Sequence, residues 1–394
     1  MTTTIKRPVV AFDHHDAAFA QDPYAFYDTV RDTPVFWSPL HGGFWVVTDY
    51  EAVRAVAVDD ATFISGHTGP MQGGVAIPTI SPVPSIPIEV DSPDAEQLRK
   101  VLMADLAPRA VERREPAIRS MVDAAIDGFI HRGRCDLMDE LAVPVPARMI
   151  MHWLGLDDRE WEPFVAAVHT MLHGGADMEV VGPAVAQIFT WVADAMADRH
   201  ANGFRDDLIS KLMQQLPDDE AASYTFTLIV AGLDTTSAAI GNAIVQIDRR
   251  PELRALLRDD PNALPRAAEE LLRYDAPLQL LARTAIRDTV VGGQQVRAGD
   301  RLLLGWASAS RDPAVFDDAD DIRPDRTGSG HFAFGVGLHR CLGSNIARST
   351  MRVALDRVMA RIPDFRLTDA TVARYPDAAF IYSPAALPAT FTAA

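Results

Sequence analysis

The chain of 394 residues contains two cysteines. One of them, Cys341, lies in the segment Phe334-Gly-Val-Gly-Leu-His-Arg-Cys-Leu-Gly343. Gly335 and Gly337 can take backbone angles that other residues resist, so the chain can turn tightly around whatever the cysteine holds. Apolar side chains at Leu342, Ile346 and Val353 recur at helical intervals and predict a helix after Gly343. Cys341 then stands near a helix N-terminus, where the macrodipole favours a thiolate. A thiolate held by a pre-turned backbone is a metal ligand. The alternative is a buried structural cysteine.

Two further groupings could do chemistry. Ala231-Gly-Leu-Asp-Thr-Thr236 falls inside a predicted helix over Asp219–Arg249. Glycine there costs about 1 kcal/mol relative to alanine, a cost that sequences accept at functional sites. A threonine hydroxyl that bonds back to the helix can widen it and admit water. The plainer alternative is a solvent-facing acid beside a back-bonded threonine. Glu270 and Arg273 stand at i, i+3 on one helix face, close enough to pair. On a surface such a pair contributes little.

The elements that must position these groups are mostly helical. Helices are predicted over Asp22–Arg31 and Tyr50–Val58, and in outline over Ala95–Leu106, Arg109–Arg132, Ala142–Leu154, Arg159–His173, Gly182–Ala201, Asp206–Leu216, Asp219–Arg249 and Pro251–Asp275. Strands are predicted over Gly43–Thr48, Arg283–Thr289, Gln295–Val296 and Arg301–Leu304. The stretch Gly66–Pro87 has five prolines, four glycines and no charged residue, and reads as a loop covering something apolar. Neither a repeat nor a composition break divides the chain. The reading is one mainly α unit with a smaller β-rich part over residues 1–394, with a short flexible N-terminus over about 1–15.

Composition narrows the function. An apolar share of 48% and a charged share of 23% suit a globular protein with a large core. A net charge of −17 argues against nucleic acid and anionic membrane as partners. The N-terminus lacks an apolar leader, and no run reads as membrane-spanning. Two distant cysteines suit a reducing cytoplasm, and cannot hold a four-ligand iron–sulfur cluster. Lys100, Arg109, Arg113, Arg114, Arg340, Arg348 and Arg352 form a local basic set, either solvated helix faces or a dock for an acidic partner.

The pattern Phe-Gly-x-Gly-x-His-x-Cys-x-Gly resembles the haem-binding signature of the cytochrome P450 family, with every fixed position filled. The Asp-Thr helix and Glu-x-x-Arg resemble two further family motifs in the family's order, and the likeness runs from about residue 20 onward. It implies the P450 fold, with haem b between the distal long helix and the proximal cysteine-loop helix. Cys341 would ligate the iron, with Phe334, Gly335 and Gly343 shaping its loop. Arg99, Arg283 and His339 would hold the propionates. Many relatives place a histidine where this chain has Ala95, so His67 or His331 is a conceivable substitute. Asp234 and Thr235 would relay protons and bond dioxygen. Glu270 and Arg273 would form a buried structural pair joined by Arg323 or Arg326. Val230, Ala231, Leu278, Leu280, Leu281 and Ile381, with the Gly66–Pro87 loop, would line the substrate pocket, and Met171–Val181 would supply a lid.

The implied activity is a soluble, cytoplasmic, monomeric monooxygenase acting on a neutral apolar substrate such as a terpenoid, aromatic or steroid compound. Dioxygen is the oxidant and a ferredoxin the electron donor. A peroxygenase or a haem sensor of the same fold would not need the acid–threonine pair. A zinc site at His331, His339 and Cys341 has the wrong spacing.

Overall fold

The helix Asp218–Arg249 organises the molecule. Asp218, Asp219 and Glu220 fill its first turn and Arg249 its last, matching the sign of the helix dipole at each end. Pro251 stops it and opens the next helix. Buried side chains run along most of its length, so it lies inside the fold. Side chains had to be trimmed for this packing: a Cβ on Gly241 would sit 2.4 Å from the Met138 sulfur. The helices Pro144–Leu154, Trp161–His173, Met178–Asn202 and Ser344–Arg361 pack around it. The computed structural model describes residues 7–81, 83–174, 177–328 and 330–393.

Beside the helices lies a five-stranded sheet in the order Val35–Ser38, Phe44–Val47, Arg301–Gly305, Leu280–Ala285, Phe63–Ile64. All its pairings are antiparallel except Phe44–Val47 with Arg301–Gly305. A smaller sheet joins Arg134–Asp136, Pro388–Thr390 and Arg366–Leu367. The expected fold class, mainly α with a smaller β part, is the observed one.

Several boundaries moved for identifiable reasons. The predicted helix Pro251–Asp275 is two helices, Pro251–Asp259 and Leu264–Tyr274, because Pro261 interrupts the ladder. The predicted strand at Arg283–Thr289 starts earlier, at Leu280, and ends at Ala285. Residues 1–6 lie outside the described residues, but 7–15 pack firmly rather than forming a loose terminus. Val10 donates to the Trp37 carbonyl at 3.0 Å, Phe12 is 2% exposed, and its ring stacks on Phe26 at 4.3 Å. Two helices, Met178–Asn202 and Asp218–Arg249, are long and apolar enough to cross a membrane, contrary to the reading of the sequence. Both pack within the helical layers, the second with 72% of its apolar window buried.

The uncharged Gly66–Pro87 loop is organised by charges outside it. Asp91 accepts from the Ser65 and Gly66 N–H groups, and Glu89 from Val75 and Ser85. Arg301 donates to the Gly74 and Ala76 carbonyls.

Candidate active site

The cysteine loop is fixed by backbone bonds and by one steric demand. Phe332 anchors its start, stacked on Tyr50 at 4.2 Å. Gly335 donates to the Phe332 carbonyl and Cys341 to the Phe334 carbonyl, both at 2.8 Å. Gly335 and Gly337 have φ of 65° and 78°, the left-handed region that glycine enters without strain. At Gly337 a Cβ would also lie 2.5 Å from the Ala57 carbonyl oxygen. Gly343 caps the helix Ser344–Arg361, and the Arg348 guanidinium covers the Phe334 ring at 4.2 Å.

Cys341 keeps accessible surface. Neighbouring protein still crowds it enough that burial pushes its thiol above 9.0, against the Gly343 N–H and the charges of Arg340, Arg99 and Arg348. The helix end therefore does not by itself produce the thiolate that the sequence suggested; a bound cation would. The bland fate belongs to Cys135, buried on a strand with its thiol pushed up to about 12 by burial and then by Glu140 and Asp136.

Three cationic or donor groups cluster near Cys341, and none of them forms an ion pair with a carboxylate among the described residues. Arg283 is 2% exposed, and among the described residues its side chain bonds only the adjacent Ala282 carbonyl, at 2.8 Å. Burial lowers it to about 10, with Asp91 opposing. His339 leaves a buried Nδ1 without a partner. Burial, then Arg283 and Arg99, hold His339 near 3, so it is neutral at pH 7. Arg99 donates to the Arg340 carbonyl at 2.7 Å. Ala95 is fully buried and offers no donor. Such a set calls for a dianionic ligand, and a haem with two propionates meets that demand.

His331 does not join this set. Its Nε2 lies 3.3 Å from Glu269, which Arg348 also clasps at 2.6 Å, and its Nδ1 accepts from Ala333. His67 pairs with Glu89 at 3.2 Å but keeps a buried Nδ1 without a partner.

On the long helix, the Thr235 hydroxyl donates to the Ala231 carbonyl one turn back at 2.7 Å, and Ala231 is exposed. Gly232 brings the helix against Ile150, whose Cδ1 would lie 3.4 Å from an added Cβ. Asp234, 1% exposed, is engaged by two histidines that the sequence reading did not assign to it. His173 Nε2 donates to it at 2.8 Å, and His169 Nε2 lies 3.1 Å from its other oxygen, at ion-pair distance but without hydrogen-bond geometry.

His173 Nδ1 faces the Asp377 carbonyl at 3.1 Å. Both partners of His173 can only accept, so its ring must donate from both nitrogens and is an imidazolium. Burial lowers its pKa, but Asp234 more than offsets this and the net value is raised. The Asp234 carboxyl is raised by burial and lowered more strongly by the two histidines, ending far below 3.8. Tyr375 completes the cluster, stacked on His173 at 3.9 Å with its hydroxyl 3.0 Å from His169 Nδ1. The i, i+4 spacing of the two histidines was the available signal.

The expected pocket residues divide. Ala231 is exposed, and Val230, Leu278 and Leu281 are half-buried. Leu280 and Ile381 are 0% and 2% exposed and belong to the core, because strand alternation turns Leu280 away from the side that Leu281 presents. Leu278 bridges to Ile381. The expected lid spans the turn between two helices and includes residues 175 and 176, which lie outside the described residues.

Glu270 and Arg273 are buried and form a two-pronged pair at 2.8 and 3.1 Å. Arg273 also donates to the Ser310, Ala319 and Asp321 carbonyls, pinning the coil before the cysteine loop. Of the two candidates for the third member, Arg326 bonds Glu270 through its side chain at 3.0 Å. Arg323 contributes only its backbone N–H, at 2.9 Å. Arg273→Ala would leave the buried Glu270 carboxylate to Arg326 and the Arg323 N–H alone and free three carbonyls, and is expected to destabilise the protein by about 3–5 kcal/mol. Equilibrium urea unfolding measures this; a loss below about 1 kcal/mol would mean that the network is not structural.

A long buried helix with an acid–threonine step, packed against a helix headed by a cysteine loop, is the arrangement that the resemblance to thiolate-ligated haem enzymes implied. A sequence model described as Cytochrome P450 matches residues 188–368. Erythromycin C-12 hydroxylase of Saccharopolyspora erythraea is 33% identical over 84% of this chain and 85% of its own. Steroid C26-monooxygenase of Mycolicibacterium smegmatis is 31% identical over 78% and 80%. The structure of the Bacillus subtilis bacillaene polyketide synthase cytochrome P450 PksS superposes with a TM-score of 0.88 at 26% identity, covering 97% of this chain and all of that one. The chain belongs to the cytochrome P450 family: it is an oxidoreductase of the monooxygenase type that binds protoporphyrin IX haem.

Proposed function

We propose that Cys341 ligates the haem iron, that Arg283, His339 and Arg99 hold the propionates, and that the whole chain acts as one catalytic domain. The reaction is RH + O₂ + 2e⁻ + 2H⁺ giving ROH and water. Bound haem supplies dioxygen activation, favoured by electron density from the thiolate. The chain's own residues supply the rest. Thr235, its proton committed to Ala231, offers hydroxyl lone pairs that would accept from and orient a water. Asp234, the residue before it, would act as a relay: its carboxylate accepts a proton from the His173 imidazolium, with His169 beside it, and passes that proton on. The observation that carries this reading is the unanswered donor set beside an accessible Cys341.

The substrate we infer is neutral and mainly apolar, of steroid or macrolide size. Val230, Ala231, Leu278 and Leu281 present apolar surface, and the buried charges nearby, Asp234 and His173, already satisfy each other. Two similar enzymes are named for a steroid and for erythromycin. Electrons would come from a ferredoxin docking near exposed Lys100, Arg109, Arg113 and Arg340. The unpaired cysteines fit a cytoplasmic monomer. Titrating the haem-loaded protein with neutral steroids, macrolides and terpenoids should shift its spin-state spectrum at micromolar concentrations. A response confined to fatty acids or benzoates would refute the neutral-substrate reading.

A further inference from the structure

A cluster of imidazoles lies outside the site described above. His14 and His15 end the segment that enters the fold from the N-terminus, and His41 tops the turn between the strands Val35–Ser38 and Phe44–Val47. Their ring centroids are 4.3 Å (His14–His15), 5.3 Å (His14–His41) and 5.4 Å (His15–His41) apart. Asp13 joins them, its Oδ1 accepting from His41 Nε2 at 2.8 Å. One potential ligand atom each from Asp13, His14 and His41 lie within 4.8 Å of one another.

His14 gives the cluster its chemistry. The residue is 2% exposed, and its Nε2 lies 2.5 Å from the Ile77 carbonyl, which can only accept. The proton therefore sits on Nε2, and Nδ1 carries a bare lone pair. That Nδ1 is buried and has no hydrogen-bond partner. Leaving a buried polar atom unsatisfied costs about 1–3 kcal/mol, a cost that a bound cation would remove. An imidazole with one nitrogen free and the other donating to a backbone carbonyl is how metal-binding histidines are held.

His41 adds an independent sign. It is a non-glycine residue with φ of 49°, a left-handed conformation uncommon for side chains that bear a Cβ. It stands over Asp13. His15 is already engaged, 2.6 Å from Asp377 and 3.2 Å from the Ile77 carbonyl, so it braces the cluster rather than serving as a ligand.

We propose that Asp13, His14 and His41 form a binding site for Zn²⁺. Two imidazole nitrogens and a carboxylate oxygen suit this borderline ion, which takes such ligands at about 2.0–2.2 Å. Tetrahedral coordination needs ligand atoms roughly 3.3–3.5 Å apart, so Asp13 and His41, now 2.8 Å apart, must part slightly as the set, which already lies within 4.8 Å, closes around the ion. His41 and Asp13 reach solvent, which gives the ion a way in and leaves the fourth position to water. The ion would clamp the N-terminal segment to the strand turn, and through the Ile77 carbonyl to the uncharged Gly66–Pro87 loop.

The test uses the haem-loaded full chain, with zinc binding followed by calorimetry and by metal content after gel filtration against a chelator. The parent should take one tight Zn²⁺ and melt at a higher temperature with it. Asp13→Asn and His41→Ala sit at partly exposed positions and should fold normally. Each should weaken zinc binding by at least the roughly 10–100-fold typical of losing an outer-shell partner, and abolish the melting shift. His200→Ala, which removes an exposed histidine paired with Asp218, should change neither. Equal zinc affinity in the parent and in both site variants, or no tight zinc in the parent, overturns the proposal.

Discussion

Replacing Cys341 by alanine is expected to leave the chain folded while abolishing oxygenation. The side chain contributes little to packing, since Cys341 retains accessible surface. What holds the loop is the Cys341 N–H to Phe334 bond, the two left-handed glycines and the Arg348–Phe334 stack, and alanine preserves all three. The folding free energy should therefore move by no more than about 0.5 kcal/mol. Turnover should vanish, because no other thiolate is available: Cys135 is buried in the small sheet. Urea unfolding and substrate oxidation measured on one preparation separate the two effects. A variant that folds and still oxygenates substrate would show that Cys341 is not the ligand.

The second large effect concerns Asp234→Asn. General acid–base groups contribute about 10²–10⁴ in rate, so turnover should fall by at least ~10²-fold, with substrate binding little changed. The variant should also alter stability against pH. The depressed Asp234 carboxyl adds stability that is present above its ordinary value of 3.8 and is lost as pH falls through the lower folded value. The raised His173 adds stability that is present below 6.5 and is lost as pH rises through its higher folded value. The contact between the helix Trp161–His173 and the long helix is thus strongest between about pH 4 and 6.5, and weakens on the alkaline side. Thermal melts of parent and variant across pH 5–9 should differ most at the acid end and converge at the alkaline end. An unchanged turnover rate would remove Asp234 from proton delivery.

What the sequence revealed was what is local. The cysteine loop, the acid–threonine step and Glu270-x-x-Arg273 carry their geometry within a few residues, so their spacing alone displayed it. The partners of Asp234 come from another helix, 61 and 65 positions away, and only packing brings them there. The choice of Arg326 over Arg323 depends on how an irregular coil folds beneath the helix, and residue type cannot decide it. Leu280 and Leu281 are equivalent in composition; the pleat of the strand buries one and opens the other. Residues 7–15 resembled a loose terminus because Phe12 and His14 reveal their burial only once the hairpin Val35–Val47 is in place.

The most direct measurement is the absorption spectrum of the reduced carbon-monoxide complex of the haem-loaded parent protein, recorded beside Cys341→Ala. A thiolate opposite carbon monoxide should give the parent the long-wavelength Soret band characteristic of the family, and the variant should lack it. A parent spectrum with the shorter-wavelength band of a histidine-ligated haem, or a variant that keeps the long-wavelength band, would contradict the assignment of Cys341.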